Sequence, residues 1–265
     1  KALDNFSKVN GKAKFGIDSS LPGMVYATVV TPPTRKGSTI LSFDDTECKE
    51  IKGYMKSINP NFDKSDPLSG YLIVVAKTFP EAMRAANTVK VNWEVPENNK
   101  VNTEDLFLEA QKLMQDESKG SVSYHEGDVP KSLGNSESYE SIYTTSFVAH
   151  GILEPYNCVI GKFDDTWHLF TGTQYNTFSG LVIGGTIAAI TEVKPEEVKL
   201  KIHQRLAGGG FGTRFVNADR LALMASLNLN KPIKFIYTRE AMMKDTEPRT
   251  ASYHKLKAGI NNGKL

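Results

Sequence analysis

The sequence predicts an α+β protein in which strands and helices alternate in two successive modules. In the first module, Leu72–Ala76 is an apolar run typical of a buried strand, and alanines at helical spacing follow over 79–89. In the second module, residues 198–203 alternate apolar and polar side chains as a half-buried strand does, and 218–227 is predicted to be a helix. This interleaving favours compact packing of helices on sheets.

Local patterns predict the remaining elements. Residues 164–166 have the turn chemistry of a hairpin, and residues 117–138, rich in Ser, Gly, Asn and charge, are predicted to form a long surface loop. The predicted strands and helices are strands at 24–30, 40–43, 89–93, 142–148, 158–163, 167–171, 233–237 and 253–260, and helices at 46–52, 103–114 and 178–190.

A polar, turn-forming stretch from Pro96 to Lys100 marks a predicted domain junction. A chain of 265 residues can hold one large domain or two ordinary ones. The predicted division is a first domain at 12–95, a linker with one amphipathic helix at 96–138, and a second domain at 139–265.

Composition excludes several classes of function. The chain has 32 Lys and Arg against 30 Asp and Glu, and no basic run that would form a nucleic-acid-binding stripe. No stretch approaches the ~20 apolar residues of a membrane span. Cys48 and Cys158 are far apart and lack metal-site spacing, so two free thiols are expected, although a disulfide between them stays open.

The last residues combine a strand with a turn signal. Residues 253–260 alternate as a strand, and Asn261–Gly263 is a strong hairpin turn, with only two residues after it. Since a missing return strand would leave an unpaired ladder, the sequence predicts a piece of a longer polypeptide. The absence of an initiating methionine agrees with that prediction.

The most distinctive stretch is a glycine-rich loop at residues 206–215. Gly208, Gly209, Gly210 and Gly212 can adopt positive φ angles and let a bulky ligand approach backbone N–H groups, while Phe211 is displayed between them. The loop lacks the spacing of a dinucleotide-binding fold or of a P-loop. A helix N-terminus after it could bind an anion, and a tight structural turn is the alternative.

Two other polar residues are candidates for chemistry. Glu154 precedes a proline at a strand end and could be a catalytic carboxylate, but such residues more often cap a helix or pair with a cation. Gln174 follows a strand, where ligands commonly meet a sheet, or it is a loop amide bonded to backbone. The five histidines show no ligand spacing, so protein-ligated zinc or iron is not expected.

The order of these motifs resembles the molybdopterin-binding subunit of the xanthine dehydrogenase and aldehyde oxidase family. The similar segments are Thr173–Gln174, the Gly-Gly-Gly-Phe-Gly of 208–212 and the strand at 232–240. The phrase at 150–155 is similar to that family's His-x-x-x-Glu-Pro. Residues 11–27 and 74–94 resemble the opening and close of its hammerhead domain, which implies a hammerhead-like α/β module followed by the first part of a molybdenum-cofactor-binding α/β domain.

Within the family, Arg239–Glu240 followed by Met243, Asp245 and Pro248–Arg249 resembles the isoquinoline 1-oxidoreductase beta-subunit branch most. The resemblance implies a molybdenum hydroxylase that oxidises an N-heteroaromatic or aldehyde substrate with oxygen from water and passes electrons to a small 2Fe–2S subunit. It implies a molybdenum–molybdopterin cofactor, in the cytosine dinucleotide form, whose metal is held by the pterin dithiolene. The implied cofactor-binding residues are Gln174, Gly209, Gly210, Phe211, Gly212 and Arg214.

Two departures from the family pattern narrow these implications. Purine-oxidising members carry a glutamate where this chain has Phe215, which favours a less polar substrate. The isoquinoline branch commonly reads Arg-Arg where this chain has Thr213–Arg214.

The family's catalytic base, a glutamate in a later glycine-rich phrase, is not among these residues. The piece alone is therefore expected to be inactive, to hold no catalytic residue and to lack the cofactor. A non-catalytic binding or scaffold module that retains the fold is the alternative. The compartment is not readable from the sequence, and the resemblance alone favours the periplasm.

Overall fold

The computed structural model describes residues 5–97 and 101–263, which fall into two compact units. Unit 1 contains the described residues up to Pro96 together with His150–Glu247, and unit 2 contains the described residues of Glu97–Ala149 together with those from Pro248 onward. The elements in chain order are α1 (Asn5–Val9), β1 (Val25–Val30), β2 (Thr39–Asp44), β3 (Tyr54–Ile58), β4 (Leu72–Ala76), α2 (Phe79–Thr88), β5 (Lys90–Glu94), α3 (Thr103–Gln115), α4 (Val129–Gly134), β6 (Glu137–Thr145), β7 (Asn157–Phe163), β8 (Thr166–Thr171), α5 (Asn176–Thr191), β9 (Leu200–Gln204), α6 (Asn217–Leu229), β10 (Ile233–Ile236), α7 (Arg239–Asp245) and β11 (Ser252–Ile260).

A seven-stranded mixed sheet in the order β3-β4-β1-β10-β7-β8-β9 forms the framework of unit 1. β1 pairs in parallel with β10, with Val25 opposite Ile233, and β8 pairs in parallel with β9. The other neighbours in this sheet are antiparallel, including the predicted hairpin of β7 and β8. β2 and β5 form a separate two-stranded antiparallel sheet.

The sheet joins strands from both sides of the predicted domain junction. β3, β4 and β1 lie before residue 96, and β10, β7, β8 and β9 lie after residue 139. The division at 12–95, 96–138 and 139–265 stays a prediction about family modules. In the structure, β3, β4 and β1 belong to the same sheet as β10, β7, β8 and β9.

Helices cover the sheet because their apolar faces match its buried strands. β4 is buried along its whole length, as its continuous apolar sequence predicts, and α2 packs against β1 and β4. α6 packs against β7 and β10 and brings Leu221 and Leu223 into the main core, beside Phe235. A smaller apolar cluster around Cys48, Leu72 and Val89 lies on the side of α2.

Unit 2 consists of the antiparallel pair β6 and β11 with α3 and α4. The pairing runs from Ser252 opposite Thr145 to Ile260 opposite Glu137. β11 therefore pairs on one edge with a strand that precedes it in the chain, a pairing that the sequence did not predict, and its other edge has no partner strand within the described residues. The predicted loop at 117–138 is wrong in part, since α4 and the start of β6 fall within it.

Most other predicted elements of unit 1 are confirmed, and the errors concern short elements. β3 and α7 were not predicted, because each is short and takes its structure from long-range packing. The predicted helix at 46–52 is a single 3₁₀ turn at Glu47–Glu50. Both cysteines are free, as expected, and both are buried. Burial raises the pKa of each thiol.

None of the described helices is long and apolar enough to cross a membrane.

The core of unit 1 can be tested with two leucines in different surroundings. Leu221 on α6 is fully buried, whereas Leu181 on α5 is 71% exposed. We expect Leu221→Ala to lower the free energy of unfolding by about 3 kcal/mol, because it leaves a cavity in the core. The matched Leu181→Ala should change it by less than about 0.5 kcal/mol. Urea denaturation measures both values, and equal losses would contradict this description of the core.

Candidate functional site

The glycine-rich loop at residues 206–215 lies between β9 and α6 and is anchored on the N-terminal segment. Leu206 N donates to Lys14 O at 3.1 Å, and Gly16 N donates to Leu206 O at 3.2 Å. Phe15 and Leu206 thereby form a short parallel bridge. The start of the loop is therefore fixed by residues nearly two hundred positions earlier in the chain.

The glycines of the loop serve two different physical needs. Gly209 and Gly212 adopt φ angles of 98° and 86°, which a residue with a side chain rarely adopts. Gly208 and Gly210 are required by space, because a Cβ at Gly208 would lie 2.4 Å from Glu154 Cβ and one at Gly210 would lie 2.4 Å from Gln174 Cδ. The loop thus packs directly against both polar candidates.

Phe211 stands out from the loop into solvent, as the sequence predicts. Its side chain is 67% exposed, and its φ of 47° is unusual for a residue other than glycine. A hydrogen bond from Thr213 N to Gly210 O, 2.8 Å long, closes the turn around it. The backbone is therefore held in a strained form that displays an apolar ring, a feature typical of functional loops.

Gln174, in the connection between β8 and α5, is joined to this turn by its carbonyl oxygen. Oε1 accepts hydrogen bonds from Gly212 N at 3.1 Å and Arg214 N at 3.3 Å. Two backbone donors at one atom identify that atom as the oxygen of the amide. Within the described residues the Nε2 hydrogens have no protein acceptor, so this exposed amide can donate to a ligand.

Glu154 is a buried carboxylate that accepts hydrogen bonds from three separate segments. Oε2 accepts from Gly208 N at 2.6 Å, and Oε1 accepts from Ile17 N and Asn157 Nδ2, both at 2.9 Å. Since these donors and an arginine occupy the carboxylate, the structure favours the structural role for Glu154 over catalysis. The sequence-level alternative of pairing with a cation is confirmed.

That cation is Arg214, whose side chain is 4% exposed. Nη2 lies 3.0 Å from Glu154 Oε2, and Nε donates to Gly209 O at 2.6 Å. Burial lowers the pKa of the guanidinium, and the Glu154 carboxylate opposes that shift. The guanidinium is directed into the protein, where it ties the loop to Glu154.

Arg239 is a further residue that the analysis of single motifs did not assign to the site. Its guanidinium donates to Ile152 O and Leu153 O, the two carbonyls directly before Glu154. Its position at the start of α7, directly after the Thr238 cap, brings it under this segment. The sequence segment at 232–240 includes Arg239, but the hydrogen-bond partners of Arg239 are seen only in the folded structure.

A cleft of about 350 Å³ opens beside the loop. Its volume is within the range of small-molecule sites. Apolar and aromatic side chains line one part, and Tyr175 and Phe215 stack nearby with ring centroids 4.6 Å apart. The other part is lined by charged and polar side chains. The main lining residues are Tyr156, Phe178, Val182, Phe215, Arg220 and Asp245.

The anion-binding alternative is not supported by the position of α6. The helix begins at Asn217, so Thr213–Val216 separate its N-terminus from the glycines. Asp219 lies in its first turn, and a second negative charge there would be repelled. The glycines of the loop are therefore not adjacent to the N-terminus of α6, and the two do not form one anion-binding site.

The histidines gave no ligand spacing, yet the fold brings two of them together. His168 Nδ1 and His203 Nε2 are 2.9 Å apart on neighbouring strands, and Phe170 stacks on His203. Burial and the nearby His168 lower the pKa of His203. In the part of the chain that the structure describes, no group of three or more His, Cys, Asp or Glu side chains could hold a metal ion.

The family model for the molybdopterin cofactor-binding domain matches residues 113–265. The chain belongs to this family. This result confirms the predicted resemblance. The match includes the whole glycine loop, together with Gln174, Glu154 and Arg214.

Curated relatives agree with this membership, and a solved structure shares the fold. The chain is 33% identical to the membrane-bound aldehyde dehydrogenase (pyrroloquinoline-quinone) of Gluconacetobacter polyoxogenes, covering 98% of this chain and 33% of the relative. It is 28% identical to isoquinoline 1-oxidoreductase subunit beta of Brevundimonas diminuta, covering 96% and 32%. Aldehyde oxidoreductase from Desulfovibrio gigas has the same fold, with a TM-score of 0.65 at 16% identity over 97% of this chain and 32% of that one.

The chain spans about one third of the length of these curated relatives. The residues present suit a molybdopterin group on structural grounds. The loop offers a close-approach backbone surface at Gly209–Gly212, an exposed aromatic ring at Phe211 and a free amide donor at Gln174. None of these groups adds charge, which suits an anionic metal–pterin ligand held chiefly by hydrogen bonds.

The pair of Glu154 and Arg214 in this molybdopterin-binding domain can be tested by removing one charge. Glu154→Gln keeps the side-chain shape but leaves the buried guanidinium without its counter-ion. We expect it to lower the free energy of unfolding by about 3–5 kcal/mol. Asp165→Asn, which removes the partner of Lys162 in an exposed pair 2.8 Å long, serves as the control and should not shift the unfolding midpoint. A Glu154→Gln protein as stable as the control would contradict this role.

Proposed function

We propose that this chain is part of the catalytic subunit of a molybdenum hydroxylase that oxidises an aldehyde or an N-heteroaromatic compound. The single observation that carries the proposal is the arrangement of Gln174 against the glycine loop. Its carbonyl is fixed by Gly212 N and Arg214 N, and the hydrogens of its exposed amide have no acceptor among the described residues. The proposal agrees with the names of the two curated relatives, an aldehyde dehydrogenase and an isoquinoline oxidoreductase.

In this proposal each loop residue has a separate task. Gly209, Gly210 and Gly212 allow the backbone to approach the cofactor, Phe211 covers one side of it, and Gln174 Nε2 donates a hydrogen bond to it. Arg214, predicted from the sequence to bind the cofactor, acts through the loop, because its guanidinium is occupied by Glu154 and Gly209 O. The molybdenum–pterin centre, when bound, supplies the two-electron oxidation, with oxygen from water.

The proposed substrate class follows from the cleft beside the loop. Phe215 and Phe178 give it an apolar wall, and a flat ring or a small aldehyde can lie against such a wall. The polar side contains Arg220 and Asp245, which pair with Asp66 and Tyr71 within the protein. This mixed lining suits an N-heteroaromatic ring better than a purely aliphatic aldehyde.

Three further parts of the proposal come from the family. The cofactor is molybdopterin in its cytosine dinucleotide form. The matching family model is for molybdopterin, which favours this cofactor over the quinone in the name of one relative. Electrons leave to a 2Fe–2S subunit. Residues 12–95 form the hammerhead-like domain, 96–138 the linker, and 139–265 the first part of the cofactor domain.

The second candidate is a non-catalytic module that keeps the fold without the cofactor. The two candidates differ in the composition of the full-length protein, isolated with its electron-transfer partner. We expect molybdenum and pterin in equal amounts, measured by metal analysis and by the fluorescence of the oxidised pterin. A protein that contains neither would establish the non-catalytic module.

Gln174 provides the kinetic test of the proposal. Because its amide donates to the cofactor, Gln174→Ala in the full-length enzyme should lower kcat about 10²-fold, as loss of one preorganised donor does. Gln111→Ala on α3 is the matched control and should leave kcat unchanged. Turnover by Gln174→Ala equal to that of the control would refute the assigned contact.

A further inference from the structure

Two aromatic residues next to the glycine loop form a stacked pair, and only one of the two rings borders the cleft. Tyr175 follows Gln174 in the chain, and Phe215 follows Arg214. Their ring centroids are 4.6 Å apart, and the planes of the rings differ by 4°. Phe215 lines the cleft of about 350 Å³, whereas Tyr175 lies outside that lining. Tyr175 therefore covers one face of the Phe215 ring, and the cleft borders the ring elsewhere.

Hydrogen bonds between the two segments fix the backbone positions of both rings. Tyr175 N donates to Thr173 Oγ1 at 3.2 Å, and Thr173 Oγ1 donates to Arg214 O at 3.2 Å. Gln174 N donates to the same carbonyl at 3.3 Å, and Arg214 N donates to Gln174 Oε1 at 3.3 Å. The residue before each aromatic ring is thus bonded to the residue before the other. The stacked pair therefore has a rigid base.

The stack restricts the orientation of a ring that would otherwise have rotational freedom. Phe215 is 43% exposed and Tyr175 is 40% exposed, so neither ring is enclosed in the core. Parallel, offset packing at this separation is a favourable arrangement of two aromatic rings. With one face against Tyr175, the ring of Phe215 is held in one orientation beside the cleft. A fixed flat surface binds a flat ligand with a smaller loss of conformational entropy than a mobile surface does.

The neighbouring wall of the cleft is apolar and comes from the helix that Tyr175 precedes. α5 begins at Asn176, and its side chains Phe178 and Val182 line the cleft together with Phe215. The sixteen residues of this helix include no charged side chain. A neutral ring placed on this wall therefore meets apolar surface and removes no charge of α5 from water. This part of the cleft suits a flat, uncharged aromatic ring.

We propose that Tyr175 is a positioning residue for substrate selection, which holds the Phe215 ring so that the cleft prefers a flat aromatic ring to a saturated ring of the same size. The cleft receives the substrate only in the function proposed above, and this selectivity rests on that function. The packing of the two rings does not involve the cofactor, however, so ligand binding tests the role of Tyr175 without turnover.

The test compares the binding of two probes, benzamide and cyclohexanecarboxamide. They share the carboxamide and the ring size, and they differ in whether the ring is flat and aromatic. Isothermal titration calorimetry on the full-length protein gives the ratio of their dissociation constants. We expect the wild type to bind benzamide about fivefold more tightly, a difference within the range of one aromatic pair. Neither probe is an aldehyde or an N-heteroaromatic compound, so the proposed reaction does not consume it.

Four variants separate positioning from direct contact with the ligand. Phe215→Leu removes the flat surface and should bring the ratio of the two dissociation constants close to one. Tyr175→Leu should lower the ratio about as much, although Tyr175 lies outside the cleft lining. The double variant should show no further loss, because both changes act through the same ring. Tyr175→Phe keeps the stack without the hydroxyl group and should keep the wild-type ratio.

Tyr143→Leu is the matched control, because Tyr143 is an exposed tyrosine on β6 of unit 2, and it should keep the wild-type ratio. The proposal is overturned if the wild type binds neither probe or both equally, if Tyr175→Leu keeps the wild-type ratio, or if Tyr175→Phe lowers it. Should Tyr175→Leu fail to fold, Tyr175→Met takes its place. Absence of molybdenum from a wild type that still prefers benzamide would count against the proposed function only.

Discussion

The buried ion pair of Glu154 and Arg214 is the interaction on which the site depends. One carboxylate receives N–H groups from the N-terminal segment, from β7, from the loop and from the guanidinium. Each donor offsets part of the cost of removing the charge from water. Because the donors come from distant parts of the sequence, the carboxylate also fixes where those parts meet.

The loop above this pair has little freedom, although it consists largely of glycine. Gly209 and Gly212 supply backbone angles, whereas Gly208 and Gly210 leave the space that Glu154 and Gln174 occupy. The strained φ of Phe211 is maintained by bonds on both sides of the turn. Flexible residues thus build a rigid surface, because the contacts around them determine their conformation.

Local sequence patterns predicted most of unit 1 and the position of the loop. The hairpin of β7 and β8, α5, α6 and the exposed Phe211 all follow from periodicity and turn chemistry. The partner of Glu154 could not be predicted from local patterns. Glu154 and Arg214 are far apart in the sequence, and only the folded chain brings them together. The pairing of β11 with β6 was not predicted for the same reason, because strand periodicity shows that a strand exists and not which strand it meets.

The parallel pairing of β1 with β10 has a consequence for how unit 1 forms during synthesis. Strand β1 emerges from the ribosome long before β10. It cannot pair with β10 until more than half of the chain has been synthesised after it. Closing so long a stretch of chain is entropically costly, and such pairings slow folding. The anchor of the glycine loop on Lys14 and Gly16 likewise has to wait for Leu206, nearly two hundred residues later, so the surface that would receive the cofactor can be completed only late in synthesis.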